Sequence, residues 1–294
     1  MIIDAHNHPD WHKYDLDAFL KNMDTYHIDK TWLLSWETPY GDYSPESAAV
    51  LPGAIFNGEN SVPIPFAHCL ECKLRAPDRF ILGYAPNPKR ADAIDALRSA
   101  IDLYDVKICG EVKFRILYDD PDAVDLFRFC GEAHLPVTLH FDYPEATRTG
   151  KKYPRRNWWY GGSIDHLDNL LSLCPDTAFL GHAPGFWAHI SGDDQAYTVS
   201  YPQGPVLPGG MVEQLLEKHP NLYCDISAGS GHRALSRDLE YTYQLICRFP
   251  DRFLYARDYF DNIHQELIEK LSLPRDVYEL VMHGNAERLI SGTI

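Results

Sequence analysis

The sequence predicts a (β/α)8 barrel, a closed ring of parallel strands sheathed by helices, and three observations predict it. Short β-branched or apolar runs alternate with longer segments of helical period along the whole chain, which is the pattern of parallel βαβ units. Eight such strand candidates fall within 294 residues, the strand number and the approximate size of that fold. Links that enter strands are short and turn-like, whereas links that leave them are long, so the long loops gather at the C-terminal mouth where a barrel builds its site. A doubly wound open sheet is the competing arrangement, but no Gly-x-Gly-x-x-Gly turn follows the first strand, which weakens a dinucleotide-binding reading.

The first strand is read over Ile2–Ala5, in the opening apolar run, and a helix follows over Asp15–Tyr26. The second strand, Thr31–Ser35, leads into a long loop over 36–65 and a helix over Phe66–Arg75. Ala76-Pro77-Asp78-Arg79 turns the chain into the third strand, Phe80–Tyr84, followed by a helix over Ala91–Tyr104 and the fourth strand, Gly110–Phe114. A helix over Asp122–His134 and the turn His134-Leu135-Pro136 deliver the fifth strand, Val137–Phe141, which runs into the loop 142–163. Next come a helix over Ile164–Leu173, the sixth strand Ala178–Gly181, the loop 182–210 and a helix over Met211–His219. The seventh strand, Leu222–Ile226, a helix over Arg233–Arg248, the eighth strand Phe253–Arg257 and further helix after Asp261 complete the order. No internal repeat, low-complexity segment or linker divides the chain, so residues 1–294 are expected to form a single domain.

Composition narrows the class. Hydrophobic residues make up 45% and charged residues 23%, an ordinary globular balance. A formal net charge of −15, from 27 basic and 42 acidic side chains, argues against a nucleic-acid partner. No apolar stretch approaches bilayer-spanning length, and the first residues read as a core strand and not as a leader, so a cytoplasmic protein with no membrane partner is expected. The seven cysteines are odd in number and scattered through apolar segments, as reduced core residues are. Cys69-Leu70-Glu71-Cys72 has no second pair, so a zinc knuckle is not expected. His27, His134, His166, His219, His264 and His283 lie in or near helix ends and read as caps or surface residues.

His6-Asn7-His8 follows the first strand directly. Residues two apart on a strand share a face, so both imidazoles project together and form an incipient site for zinc or a similar cation. Alone, such a pair is better explained as an exposed polar pair. Three further strand ends change the balance: Pro136-Val137-Thr138-Leu139-His140, Thr177-Ala178-Phe179-Leu180-Gly181-His182, and Arg252-Phe253-Leu254-Tyr255-Ala256-Arg257-Asp258. The eighth strand closes on the first in a barrel, which brings Asp258 within reach of His6 and His8.

This pattern resembles the amidohydrolase superfamily, in its amidohydrolase-related (aminocarboxymuconate-semialdehyde decarboxylase-like) branch. The likeness runs from Asp4-Ala5-His6-Asn7-His8 to His283-Gly284-Asn285-Ala286-Glu287-Arg288-Leu289, through Pro77-Asp78-Arg79-Phe80, Gly110-Glu111-Val112-Lys113 and Gly181-His182. It implies one divalent metal, zinc with manganese as the alternative, held by His6, His8, His140 and Asp258, with His182 approaching the metal or moving protons. Two departures stand out. Ala256-Arg257-Asp258 replaces the usual Gly-Ser-Asp, and Arg257 points outward or contacts an anion. Lys113 raises the question of a carbamylated lysine between two metals, but a single metal is usual in this branch, so Lys113 is read as a substrate contact or a barrel-interior charge. Glu111 is read as its structural partner.

Such a metal leaves room for water or a substrate oxygen and lowers the pKa of bound water to about 7. Asp258 can take the proton from that water and His182 can donate to a leaving group. The constellation suits hydrolysis of a lactone, ester or amide. The resemblance also admits non-oxidative decarboxylation, or another lyase reaction, on the same scaffold. A third reading, a non-catalytic metal-binding barrel, is disfavoured by the complete ligand set. Around the mouth, Trp11, Lys113, Arg115, Trp187 and Arg233 are the substrate-binding candidates, arginine for its bidentate fit to carboxylates. The cluster Lys151-Lys152-Tyr153-Pro154-Arg155-Arg156-Asn157-Trp158-Trp159-Tyr160 places cations beside aromatics, as suits an anionic, flat or sugar-like substrate and equally a solvated loop or subunit contact. The expected ligand is a small anionic carboxylate-bearing molecule; a homo-oligomer is left open.

Overall fold

The structure, a computed structural model, describes residues 1–39, 64–142 and 160–292. All eight expected strands are present: β1 Ile3–Asn7, β2 Lys30–Leu33, β3 Phe80–Leu82, β4 Cys109–Val112, β5 Val137–His140, β6 Phe179–His182, β7 Leu222–Asp225 and β8 Phe253–Leu254. They pair in parallel as β1-β2-β3 and β4-β5-β6-β7-β8. Two seams close the ring. Lys107 N donates to Leu82 O and Tyr84 N to Ile108 O between β3 and β4, while Ala5 N donates to Tyr255 O between β1 and β8. The fold is a TIM barrel.

The helices on the outside are α1 Leu16–Thr25, α2 Phe66–Arg75, α3 Ala93–Tyr104, α4 Pro121–Glu132 and α5 Ile164–Leu173, then the single turn α6 Pro184–Trp187 and α7 Met211–Lys218. They are followed by α8 Ala228–Ser236, α9 Leu239–Arg248, α10 Ile263–Leu271, α11 Arg275–Glu279 and α12 Asn285–Ile290. Their starts follow local chemistry. Asp15 accepts from Ala18 N at α1, and Pro121 opens α4 behind Asp120, both ordinary helix N-terminal devices. Where one helix was expected over Arg233–Arg248 there are two, because Asp238 leaves the helical conformation and caps α9 by accepting from Tyr241 N. His264, expected at a cap or surface, is fully buried against Ala228 O, and burial pushes its imidazole down to about 4.

Strand alternation divides the core in two. Leu33, Leu82, Val137, Leu139, Phe179 and Leu222 join Phe19, Phe127 and Leu167 between sheet and helices. Ile3, Ala5, Trp32, Leu34, Ile108, Leu180, Tyr223 and Leu254 fill the inside, with Ala286 and Leu289 of α12 packed on them. Continuing the two-residue period, His182 follows Leu180 inward and Asp225 follows Tyr223. On β1 and β4 the ladders slip, between Asp4 and Asn7 and between Cys109 and Val112. Such irregularities re-aim side chains, and His6 and Glu111 sit within them.

A buried ion pair clamps the β8–β1 seam. Arg257, fully buried, donates its backbone N to Asp4 Oδ1 (2.9 Å), Nε to Asp4 Oδ2 (2.8 Å) and Nη1 to Asn22 Oδ1 (2.8 Å). This settles the two alternatives for Arg257: it points outward into the sheet–helix layer, not at an anion in the cavity. Removing one partner of a buried pair strands the other charge, so Asp4→Ala should cost about 3–5 kcal/mol. The expected result is a lower urea midpoint with an unchanged slope.

Candidate metal centre

Six strand ends meet at the floor of the mouth. His6 Nδ1 lies 2.6 Å from Asp225 Oδ2, and His8 Nδ1 lies 2.8 Å from the Leu34 carbonyl. Each of those oxygens is an acceptor, so each Nδ1 carries the hydrogen and each Nε2 is left with a lone pair. The two Nε2 atoms face each other at 3.2 Å, against roughly 3.3 Å for two nitrogens bound 2.0–2.1 Å from a tetrahedral ion. Glu111 Oε2 and Asp258 Oδ1 each lie 3.4 Å from His8 Nε2 and 3.9 Å from His6 Nε2. Four acceptor atoms therefore turn toward one point, and only a proton or a cation relieves them. The donor set fits a divalent ion such as zinc.

A second group adjoins the first through Glu111. Its Oε1 takes the His140 Nδ1 contact at 2.6 Å and lies 3.8 Å from His182 Nε2. His140 Nε2 is 3.3 Å from Asp142 Oδ2. The sequence assigned His140 to the same ion as His6, His8 and Asp258. The geometry instead places it with Glu111 and His182, and gives Glu111 the position beside the histidine pair. The expected Glu111–Lys113 ion pair does not form: Lys113 Nζ sits 3.9 Å from the centre of the Trp36 ring. His182 Nδ1 pairs with Ser227 Oγ at 3.0 Å, and its buried Nε2, like Asp258 Oδ1, has no hydrogen-bond partner among the described residues.

Charge follows from this packing. Burial pulls His6 down, but Asp225, Asp258 and Glu111 outweigh it and raise the imidazole to about 10, so its Nε2 holds a proton wherever no cation takes the lone pair. Burial opposes ionisation of Asp225, yet the charge of His6 and hydrogen bonds from His6 and Ser227 hold it at about 2. Glu111 stays well below the usual carboxylate range despite burial, through Lys113 and His140. His182 is driven well below its ordinary value by burial and by neighbouring His6 and His140, so its ring is neutral. Asp258 is raised by burial. It is also held at φ 55°, a left-handed conformation uncommon for a side-chain-bearing residue, by Asp258 N donating to His6 O and Trp11 Nε1 to Asp258 O.

Above the floor is a cavity of about 390 Å³ whose lining includes Trp11, Lys113, His182, Arg233, Asp258 and Tyr259. Of the expected substrate contacts, Trp11, Lys113 and Arg233 line this cavity. Trp187 is not: it is buried outside this cavity and donates Nε1 to the Asp225 carbonyl, supporting the residue behind His6. Arg115 is half-buried and likewise outside the lining. Both follow a strand closely, and position on a loop does not dictate which way a side chain turns. Lys151 to Trp159 of the cationic–aromatic cluster lie outside the described residues.

The profile of the amidohydrolase family matches residues 3–291. The chain belongs to the amidohydrolase family. As an amidohydrolase it is an enzyme of a superfamily that uses a divalent metal. No curated protein sequence matches it significantly. Among solved structures it is similar to an uncharacterized TIM-barrel protein from Bordetella bronchiseptica (16% identity, 99% of each chain, TM-score 0.64). It is also similar to a dihydroxybenzoic acid decarboxylase from Polaromonas sp. JS666 with bound manganese (16% identity, 99% of this chain and 96% of that one, TM-score 0.63). A third is a probable 2-pyrone-4,6-dicarboxylic acid hydrolase from Acinetobacter baumannii with citric acid bound (13% identity, 99% of each chain, TM-score 0.57). At these identities the likeness establishes the fold alone. No helix among the described residues is long and apolar enough to cross a membrane.

Protein purified without added metal should carry at least one divalent ion per chain by elemental analysis, and His6→Ala and Glu111→Gln should each lose it. Asp225→Asn, which weakens the support behind the His6 ring, should lower metal affinity by about 10–100-fold. Retention of stoichiometric metal by both His6→Ala and Glu111→Gln would place the ion elsewhere.

Proposed function

We propose that this amidohydrolase hydrolyses a lactone, ester or amide bond in a small anionic, carboxylate-bearing compound, using zinc. The observation that carries the reading is Asp258: a buried carboxylate with one unpartnered oxygen, facing both the histidine pair and the open cavity. A divalent ion between His6, His8, Glu111 and Asp258 would supply Lewis acidity and hydroxide at neutral pH. Asp258, raised by burial, accepts a proton from an attacking water and passes it on to the departing group. His182, kept neutral and with Nδ1 on the Ser227 hydroxyl, presents Nε2 to the reacting centre, where it donates to the leaving group in the tautomer that places its proton on Nε2. Lys113, above Trp36, offers a positive charge to an oxyanion or a substrate carboxylate.

Non-oxidative decarboxylation is the second reading, supported by the manganese-bound decarboxylase among the similar structures. The two reactions differ in what they release. Lactones and aromatic carboxylates offered in parallel should give acid without CO₂; CO₂ release without acid production would replace hydrolase by lyase. Asp258→Asn should lower kcat about 10²–10⁴-fold, with metal content followed in the same samples. Lys113→Met should lower kcat/KM, because it removes a cavity cation and the charge that helps keep Glu111 ionised.

A further inference from the structure

Helix α8 begins unusually. Its N-cap residue, Ser227, leaves the helix uncapped because its hydroxyl is turned to His182 Nδ1 instead. Ala228 N donates to Arg257 O, and Gly231 N bonds back to Ser227 O, but the amides of Gly229 and Ser230 meet no acceptor among the described residues. Those two residues line the cavity, and a Cβ built on Gly229 would meet no atom within 4 Å. A helix of nine residues ending its N-terminus in a cavity carries partial positive charge there and offers free N–H groups.

An independent observation points to a ligand at the same place. Ser230 lines the cavity and is only 4% exposed, yet its Oγ has no hydrogen-bond partner. A buried hydroxyl left without a partner is costly. One turn on, Arg233 lines the same cavity, forms no ion pair among the described residues, and lies with its guanidinium carbon 4.8 Å from the centre of the Tyr201 ring. The cavity floor is carboxylate-rich, while this wall combines a helix N-terminus, a hydroxyl donor and an unneutralised guanidinium.

We propose that the first turn of α8, with Ser230 and Arg233, is an anion subsite that holds a substrate carboxylate remote from the bond that reacts. The preferred substrates are then compounds with a carboxylate set apart from the scissile group, so this inference refines the substrate class of the proposed function and rests on it for the identity of the reacting end. Arg233 clamps the carboxylate, Ser230 donates through Oγ, and the amides of Gly229 and Ser230 complete the cradle. Selectivity comes from this wall, and reactivity from the floor.

Tryptophan fluorescence reports occupancy, because Trp11 and Trp36 line the cavity. As-purified enzyme is titrated with glutarate and, for comparison, with the neutral diamide glutaramide. Arg233→Met should weaken glutarate binding tenfold or more, Ser230→Ala threefold or more, and Arg233→Lys should recover part of the loss, while glutaramide affinity stays constant. Glutarate bound equally well by wild type, Arg233→Met and Ser230→Ala would overturn the subsite, as would parallel losses for glutaramide and glutarate. Repeating the glutarate titration on chelator-stripped, dialysed protein separates this from the proposed reaction. The Arg233 dependence should survive there even if the turnover assays reject hydrolysis, and its disappearance would reject the subsite alone.

Discussion

His6 and His8 turn two lone pairs toward each other at 3.2 Å, with a carboxylate oxygen from Glu111 and another from Asp258 closing in on the same point. All four residues are buried. Taking even one ion out of water costs several kcal/mol, and here acceptor atoms alone are crowded together. A shared cation turns that crowding into favourable contacts. The architecture around it serves to hold the acceptors in place. Asp225 and the Leu34 carbonyl fix the two imidazole tautomers, the slips in the β1–β2 and β4–β5 ladders fall where His6 and Glu111 must be aimed, and Arg257 with Asp4 ties the β8–β1 seam immediately behind.

Much of this was legible in the sequence because a barrel writes its strands as short apolar runs and its site at their ends. The eight strands were found for that reason, and so were His140 and His182, which follow apolar residues in strict alternation and stand side by side in the β5–β6 register. Asp225 obeys the same rule after Leu222-Tyr223-Cys224, two residues beyond the inward Tyr223. Glu111 was harder. The ladder irregularity between Cys109 and Val112 breaks the alternation that would have set it inward, and Lys113 two residues on offered a plausible but wrong partner. Helix α8 was hidden by composition: Gly229 and Gly231 depress helix propensity, so the periodic signal began only at Arg233. Trp187 and Arg115 failed differently, since a loop's place at the mouth does not specify the direction of its side chains.

The molecule carries a formal charge of −15, which in itself repels anions. Within the cavity, Lys113 and Arg233 occupy the wall while the carboxylates lie at the floor. Local cations in a concave, low-dielectric cleft outweigh distant surface charge that solvent and salt screen. Overall acidity and an anionic ligand are therefore compatible, and the distribution of charge inside the cavity says more about the substrate than the net value does.

One loop joins recognition to the reacting centre. From Asp225 to Ser230 the chain places a carboxylate on His6, a hydroxyl on His182 and an open helical turn on the cavity wall. Ala228 accomplishes the change of direction at φ 58°, held by its bond to Arg257 O. Because Arg257 is itself locked to Asp4 on β1, the wall, the histidine tautomers and the β8–β1 seam share one set of restraints. A substitution that shifted this loop would move the ligand-binding wall and the orientation of His6 and His182 together. Arg233, which projects from α8 into the cavity beyond this segment, can change without moving it.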